Sequence, residues 1–191
     1  DWLRLLYLYP STVSSELLEI IAAHSRVVPY LDIPLQHASR RVLKAMKRPA
    51  SSENILQRVK AWRSICPDIT IRSTFIVGFP GEGESEFAEL TRFVEETGFD
   101  HLGVFSYSWQ EENPGAELGD PVPEEVKAER MSRLLQVQQP ISLEKNRGFV
   151  GRILPAIVAG PLAEMELLTE ALTAKAERKV QLNRPQRGVK R

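Results

Sequence analysis

The sequence predicts an α/β chain of about four parallel βα units followed by an incomplete small β module. Three observations predict it. Short apolar runs alternate four times with amphipathic stretches of helical period, the order expected of βα units rather than of hairpins. The runs are bounded by Pro and Gly and are rich in branched and aromatic residues. With 191 residues, 42% of them hydrophobic, the chain can bury one ordinary core.

Each element has a local reason. Residues 3–8, an almost continuous apolar run closed by Tyr9-Pro10, read as a strand covered on both faces. Ser14 is placed to cap a helix with Glu16 in its first turn and Leu17, Leu18, Ile20 and Ile21 on its apolar face. Residues 30–35 read as a second strand that ends near Pro34. Ser39 is a candidate N-cap for a helix over 40–48, where Val42, Leu43 and Met46 share a face and Pro49 stops the helix. A further helix after Ser51 and Ser52 uses Ile55, Leu56, Val59 and Trp62 and ends before Pro67. Residues 69–79 are the strongest strand signal, closed by Pro80-Gly81. The helix over 84–96 turns Phe87, Leu90, Phe93 and Val94 inward, and Gly98 stops it. Residues 102–107 form the fourth strand. Pro123, with Glu124 and Glu125, opens a long helix to about residue 146. Pro140 inside it predicts a kink or break, at about 3 kcal/mol. Residues 150–159 and 165–173 read as two strands of a small β module, and the run beyond 175 reads as disordered.

Composition excludes several classes. A single cysteine, Cys66, permits no disulfide within the chain, no Cys-x-x-Cys zinc site and no iron-sulfur cluster held by this chain alone. The zero net charge is a sum of unlike parts: residues 175–191 carry net +6 and residues 1–174 net −6. No run reaches the roughly 18 apolar residues of a membrane span, and no secretory signal opens the chain, so a cytoplasmic location and no membrane partner are expected.

In parallel βα architectures the working groups sit at the C-terminal ends of strands. Gly78-Phe79-Pro80-Gly81-Glu82 either lets a ligand lie against bare backbone or is a tight strand-to-helix turn. Gln36 and His37 follow the second strand, where an amide and an imidazole face the same mouth; a lone His also serves structure. Arg72, inside a buried strand, needs a partner, either a carboxylate on a neighbouring strand or a bound anion. Glu84, Glu86 and Glu89 read as the solvated start of a helix, with only Glu82 near the strand mouth. The three histidines make no ligand cluster, and no catalytic or metal residue is assigned.

Several blocks, taken together, carry a resemblance. They are Tyr30-Leu31-Asp32-Ile33-Pro34-Leu35-Gln36-His37-Ala38-Ser39, then Val42-Leu43-Lys44-Ala45-Met46 with Arg48, then Arg72-Ser73-Thr74-Phe75-Ile76-Val77-Gly78-Phe79-Pro80-Gly81-Glu82, then Gly103-Val104-Phe105-Ser106-Tyr107-Ser108. In this order they resemble the radical S-adenosylmethionine methylthiotransferases. The Leu-Gln-His-Ala-Ser form resembles the RimO branch, which modifies the β-carbon of an aspartate in a small-subunit ribosomal protein. The sister branch, which acts on transfer RNA, is the alternative; a non-catalytic module binding ribosomal protein or RNA is another.

The resemblance implies a partial (β/α) barrel of radical S-adenosylmethionine type over residues 1–147, the start of a TRAM domain over 148–174 and a basic tail over 175–191. It implies S-adenosylmethionine as cofactor, with Gln36, Arg72, Thr74, Ile76, Gly78 and Glu82 around it, and 4Fe-4S clusters whose cysteine loops this chain does not contain. A ribosomal protein substrate is implied, RNA less strongly. The chain departs from the family pattern at Gly83, where a Thr is usual, and over Gln110-Glu111-Glu112-Asn113-Pro114-Gly115. Either an incomplete gene product or a segment of a longer enzyme fits these features, and by itself the chain is expected to be inactive.

Overall fold

In the computed structural model the described residues are 2–48, 55–109, 116–119 and 121–154. They divide into a unit over 1–150 and a second over 151–191, of which only 151–154 are described. In chain order the first unit holds β1 (Leu3–Leu5), α1 (Ser15–Ala23), β2 (Val27–Asp32), α2 (Arg40–Ala45), α3 (Ile55–Ile65), β3 (Thr70–Val77), α4 (Glu84–Thr97), β4 (His101–Ser106) and α5 (Glu124–Arg147). The four strands form one parallel sheet in the order β1-β2-β3-β4. Sequential parallel strands joined by right-handed crossovers put their helices on one face. The sheet is therefore an arc of a βα barrel, with α1, α3, α4 and α5 packed on one face and, among the described residues, no α-helix on the other.

The core lies between sheet and helices. Leu31, Ile33, Ile71, Phe75 and Val77 meet Leu18 and Ile21 of α1, Val59 and Trp62 of α3, Phe87, Leu90 and Val94 of α4, and Leu134 of α5. Burying each large apolar side chain contributes about 1.5–3 kcal/mol. Phe75 also packs edge-on against Phe93 and Phe99, with centroids 6.2 and 5.7 Å apart. Ser14 caps α1 as expected, its Oγ accepting from Leu17 N–H at 3.2 Å. Gly98 ends α4 in the left-handed conformation.

Four expectations are corrected. The first apolar run is an edge strand of three residues with Leu3 and Leu6 exposed, because β1 has β2 on one side only. β2 begins at Val27 and ends at Asp32, since Pro34 has no N–H for the ladder. Of the kink or break expected at Pro140, the break does not occur: the long helix is continuous through it. Anchors flank the proline: Gln138 Nε2 donates to Phe99 O at 2.8 Å, Ser142 Oγ to Asp100 O at 3.1 Å, and Lys145 Nζ to Asp100 Oδ1 at 2.8 Å. Residues 150–154 form no strand. The rest of the predicted β module, the basic tail, Pro49 and the run 110–115 lie outside the described residues.

Candidate functional site

The helix-free face of the sheet carries the candidate site. Alternation along β3 puts Arg72, Thr74 and Ile76 on that face, half-buried, while Ile71, Ser73, Phe75 and Val77 point into the core. Their register partners on β4 are His101, Gly103 and Phe105. Arg72 is paired across the strands with Asp32 of β2, Nη1 donating to Oδ1 at 2.9 Å, so the neighbouring-strand carboxylate is the partner present. Tyr30, two residues earlier on β2, lies under the Arg4 guanidinium, 3.8 Å from the ring centroid.

Gly103 opens a gap in this face. A Cβ built there would lie 3.4 Å from Thr74 Oγ1 and 3.5 Å from Arg72 Nη2, so the missing side chain leaves room beside a hydroxyl and a guanidinium. Phe105, 59% exposed, supplies an aromatic wall two residues on. Gln36 closes the strand-mouth end. Its N–H donates to Thr74 O at 2.9 Å and its carbonyl accepts from Ile76 N–H at 2.8 Å, which extends the pairing beyond β2. Its φ of 71° is in the left-handed region, a conformation that costs a non-glycine residue about 1–3 kcal/mol and collects at functional sites.

Gly78 and Glu82 are placed differently. Gly78 has φ of 74°, and a Cβ there would run into the side chain of Lys127 from α5, so this glycine admits a helix against the turn. The Glu82 side chain is fully enclosed. Its Oε1 accepts from Gly78 N–H at 2.9 Å and from Arg130 Nη1 at 2.8 Å, while Oε2 lies 3.1 Å from His37 Nε2. Ser39 N–H donates to His37 Nδ1 at 2.9 Å, so Nδ1 bears no proton and Nε2–H donates to Glu82. Arg130 also donates to Glu82 O at 3.0 Å and to Glu84 Oε1 at 2.7 Å. The structure thus gathers Gln36, Arg72, Thr74 and Ile76 along one face and sets Gly78 and Glu82 in a clasp with His37 and α5.

The acidic start of α4 is solvated at Glu84 and Glu89, as expected, and Glu84 and Glu86 are also ion-paired, with Arg130 and Arg41. The hydrogen bond from Arg130 holds the Glu84 carboxyl below its ordinary range. Arg41 and then Ser85 hold Glu86 down to about 2. Sequence reasoning missed Gly103, Phe105, Lys127 and Arg130. A signal for the first two exists, since residues of alternate parity on β4 must share a face with Arg72 and Thr74 once register is known.

A separate cavity of about 490 Å³ lies on the helix side, among Tyr9, His37, Leu43, Arg92 and Phe93. Arg48 and Ile55, which flank the undescribed residues 49–54, also line it. Among the described residues no group of three or more His, Cys, Asp or Glu side chains could hold a metal ion. Cys66 is buried, and burial, then Asp68, pushes its thiol up from the ordinary value. Among the described residues no helix is long and apolar enough to cross a membrane.

Comparison with known proteins adds three findings. A family model described as the Radical SAM superfamily matches residues 2–94. The ribosomal protein uS12 methylthiotransferase RimO of Nitrosomonas europaea is 52% identical over 157 residues, covering 82% of this chain and 35% of that protein. The protein of the same name from Methylococcus capsulatus is 54% identical over 151 residues (79% and 34%), and that from Thermus thermophilus is 52% identical over 157 residues (82% and 36%). The chain therefore spans about a third of the length of these relatives. Coproporphyrinogen III oxidase (HemN) from Escherichia coli, described as a radical SAM enzyme, superposes with a TM-score of 0.51 at 18% identity, over 79% of this chain and 34% of that one, which is a likeness of fold.

Proposed function

We propose, since this chain belongs to the RimO branch of the radical S-adenosylmethionine methylthiotransferase family, that it is the cofactor-wall part of an enzyme that methylthiolates ribosomal protein uS12. One observation carries the reading furthest. The open face of the parallel sheet lines up Arg72, Thr74 and Ile76 beside a glycine gap at Gly103, and this stretch lies within the part of the chain that is about half identical to the relatives.

The residues present suit S-adenosylmethionine. A guanidinium and a hydroxyl beside a gap provide for its polar part, and Ile76 and Phe105 offer apolar area to an adenine. Bound at an iron-sulfur cluster, S-adenosylmethionine supplies the hydrogen-abstracting chemistry of this family. The residues of this chain do not suit a cluster, because one buried thiol cannot replace three or four thiolates. The role left to this chain is to bind and orient. Asp32 fixes the Arg72 guanidinium, Gln36 locks the strand end, and the Glu82–Arg130 clasp holds the turn that follows β3.

Titration calorimetry with S-adenosylmethionine tests the reading. Gly103→Val fills the gap beside Thr74 and Arg72 and is expected to abolish binding while leaving the thermal melt within a few degrees of the parent. Binding that survives Gly103→Val would overturn this site.

A further inference from the structure

Between Asp32 and Glu53 the sequence carries five cations, Arg40, Arg41, Lys44, Lys47 and Arg48, and no carboxylate. On a body of net −6 over residues 1–174 this is a local reversal of sign. The structure sorts the five. Val42 is the buried residue of α2 and seats it, so the opposite side faces outward. Arg40 and Lys44 lie one turn apart on that side, separated by about 6 Å of helix rise. Lys47 follows in a left-handed turn, φ 54°, with its N–H bonded to Lys44 O at 3.0 Å, so the backbone of the third cation stays within one turn of the second.

Arg41 and Arg48 are engaged with the protein. Arg41 donates to Gly81 O at 2.5 Å and to Glu86, pinning α2 to the turn after β3, and Arg48 reaches the Tyr9 hydroxyl at 3.4 Å. Arg40, Lys44 and Lys47 are exposed, and among the described residues their side chains make no ion pair or hydrogen bond. Three unpaired cations are thus presented on a pinned element that begins at the strand mouth.

We propose that the Arg40–Lys44–Lys47 stripe docks on the phosphate backbone of RNA. Exposed ion pairs with isolated carboxylates are worth about 0–1 kcal/mol each. A polyphosphate adds the release of condensed counterions, so a stripe of free cations gains far more against a nucleic acid than against an acidic protein surface. Lipid is disfavoured because Val42 of α2 is turned inward and Leu43 and Met46 beside the stripe are half-buried, so no large apolar side chain of α2 stands fully exposed for insertion. No aromatic side chain interleaves it, so the contact reads backbone and not sequence. The polyphosphate chemistry stands on the stripe itself; the choice of RNA rests on the ribosomal-protein reading above.

The test is the salt dependence of binding of the full chain to a single-stranded RNA oligonucleotide, followed by fluorescence anisotropy. The triple variant Arg40→Gln, Lys44→Gln, Lys47→Gln is expected to reduce the slope of log K against log salt by about 2, at roughly 0.7 per phosphate contact. Its circular dichroism and melt should match the parent, since no native contact is removed. A second variant with the basic residues of 175–191 changed to Gln separates the tail from the stripe. An unchanged slope in the triple variant, with the whole salt dependence lost in the tail variant, overturns the proposal. So does displacement of the RNA by polyglutamate at matched charge. Titration with S-adenosylmethionine should be unaffected by the triple variant, so failure of this site and failure of the cofactor reading are told apart.

Discussion

Glu82 is the residue on which the strand-end turn depends. It is a carboxylate without solvent, balanced by Arg130, His37 and the Gly78 amide. Removing one member of a buried pair strands the other, so Arg130→Met is expected to cost about 3–5 kcal/mol, read from urea unfolding. Gly78→Ala places a Cβ in a left-handed residue and against Lys127, and should cost more than about 1 kcal/mol in the same assay. Glu86 gives a pH prediction of known sign. Its folded value of about 2 lies below an unfolded value of about 4.3, so its contribution is complete above the unfolded value and is lost as pH falls through about 2. Melts of the parent should therefore fall towards those of Glu86→Gln across that window; the difference is small because the pair is solvent-screened. Cys66, buried and with its thiol pushed up by that burial, should react with a disulfide reagent only on unfolding. Arg72, Thr74 and Ile76 are legible in the sequence because alternation alone puts them on one face. Gly103, Lys127 and Arg130 are not, because their relevance depends on strand register and on a helix that returns from far along the chain.

Elements with their own periodicity are the legible ones. β3 alternates buried and half-buried residues along its whole length, and α4 carries its apolar face and its glycine stop, so both fall within two residues of their predicted bounds. β1 is legible as a strand but not as an edge, because exposure depends on what pairs beside it. α5 shows the opposite failure. Local chemistry at Pro140 predicts a kink or break, whereas the bonds from Gln138, Ser142 and Lys145 to Phe99 and Asp100, just before β4, hold one continuous helix on both sides of it. Restoring the missing N–H with Pro140→Ala should stabilise the protein, by up to about 3 kcal/mol, seen as a rise in melting temperature. If the melt is unchanged or falls, then α5 is already relaxed around the proline.

For the whole molecule the arithmetic of parts matters most. The chain spans about a third of its relatives, has one cysteine, and its described residues fold as an arc of parallel βα units. Exposed Phe105 on the inner face, and Trp2, Leu3 and Tyr7 exposed along the β1 edge, predict a protein that self-associates as concentration rises, which sedimentation velocity would detect. Reconstitution with iron, sulfide and S-adenosylmethionine under anaerobic reducing conditions should yield no 5′-deoxyadenosine from this chain alone, because the thiolates that would hold a cluster are not in it. The central claim is that the helix-free face is the cofactor wall. It is tested most directly by amide chemical shifts of the labelled chain titrated with S-adenosylmethionine. Shifts confined to Gln36, Arg72, Thr74, Ile76, Gly103 and Phe105 are the predicted result; shifts centred instead on Leu43, Arg92 and Phe93 around the helix-side cavity, or none at saturating cofactor, would contradict it.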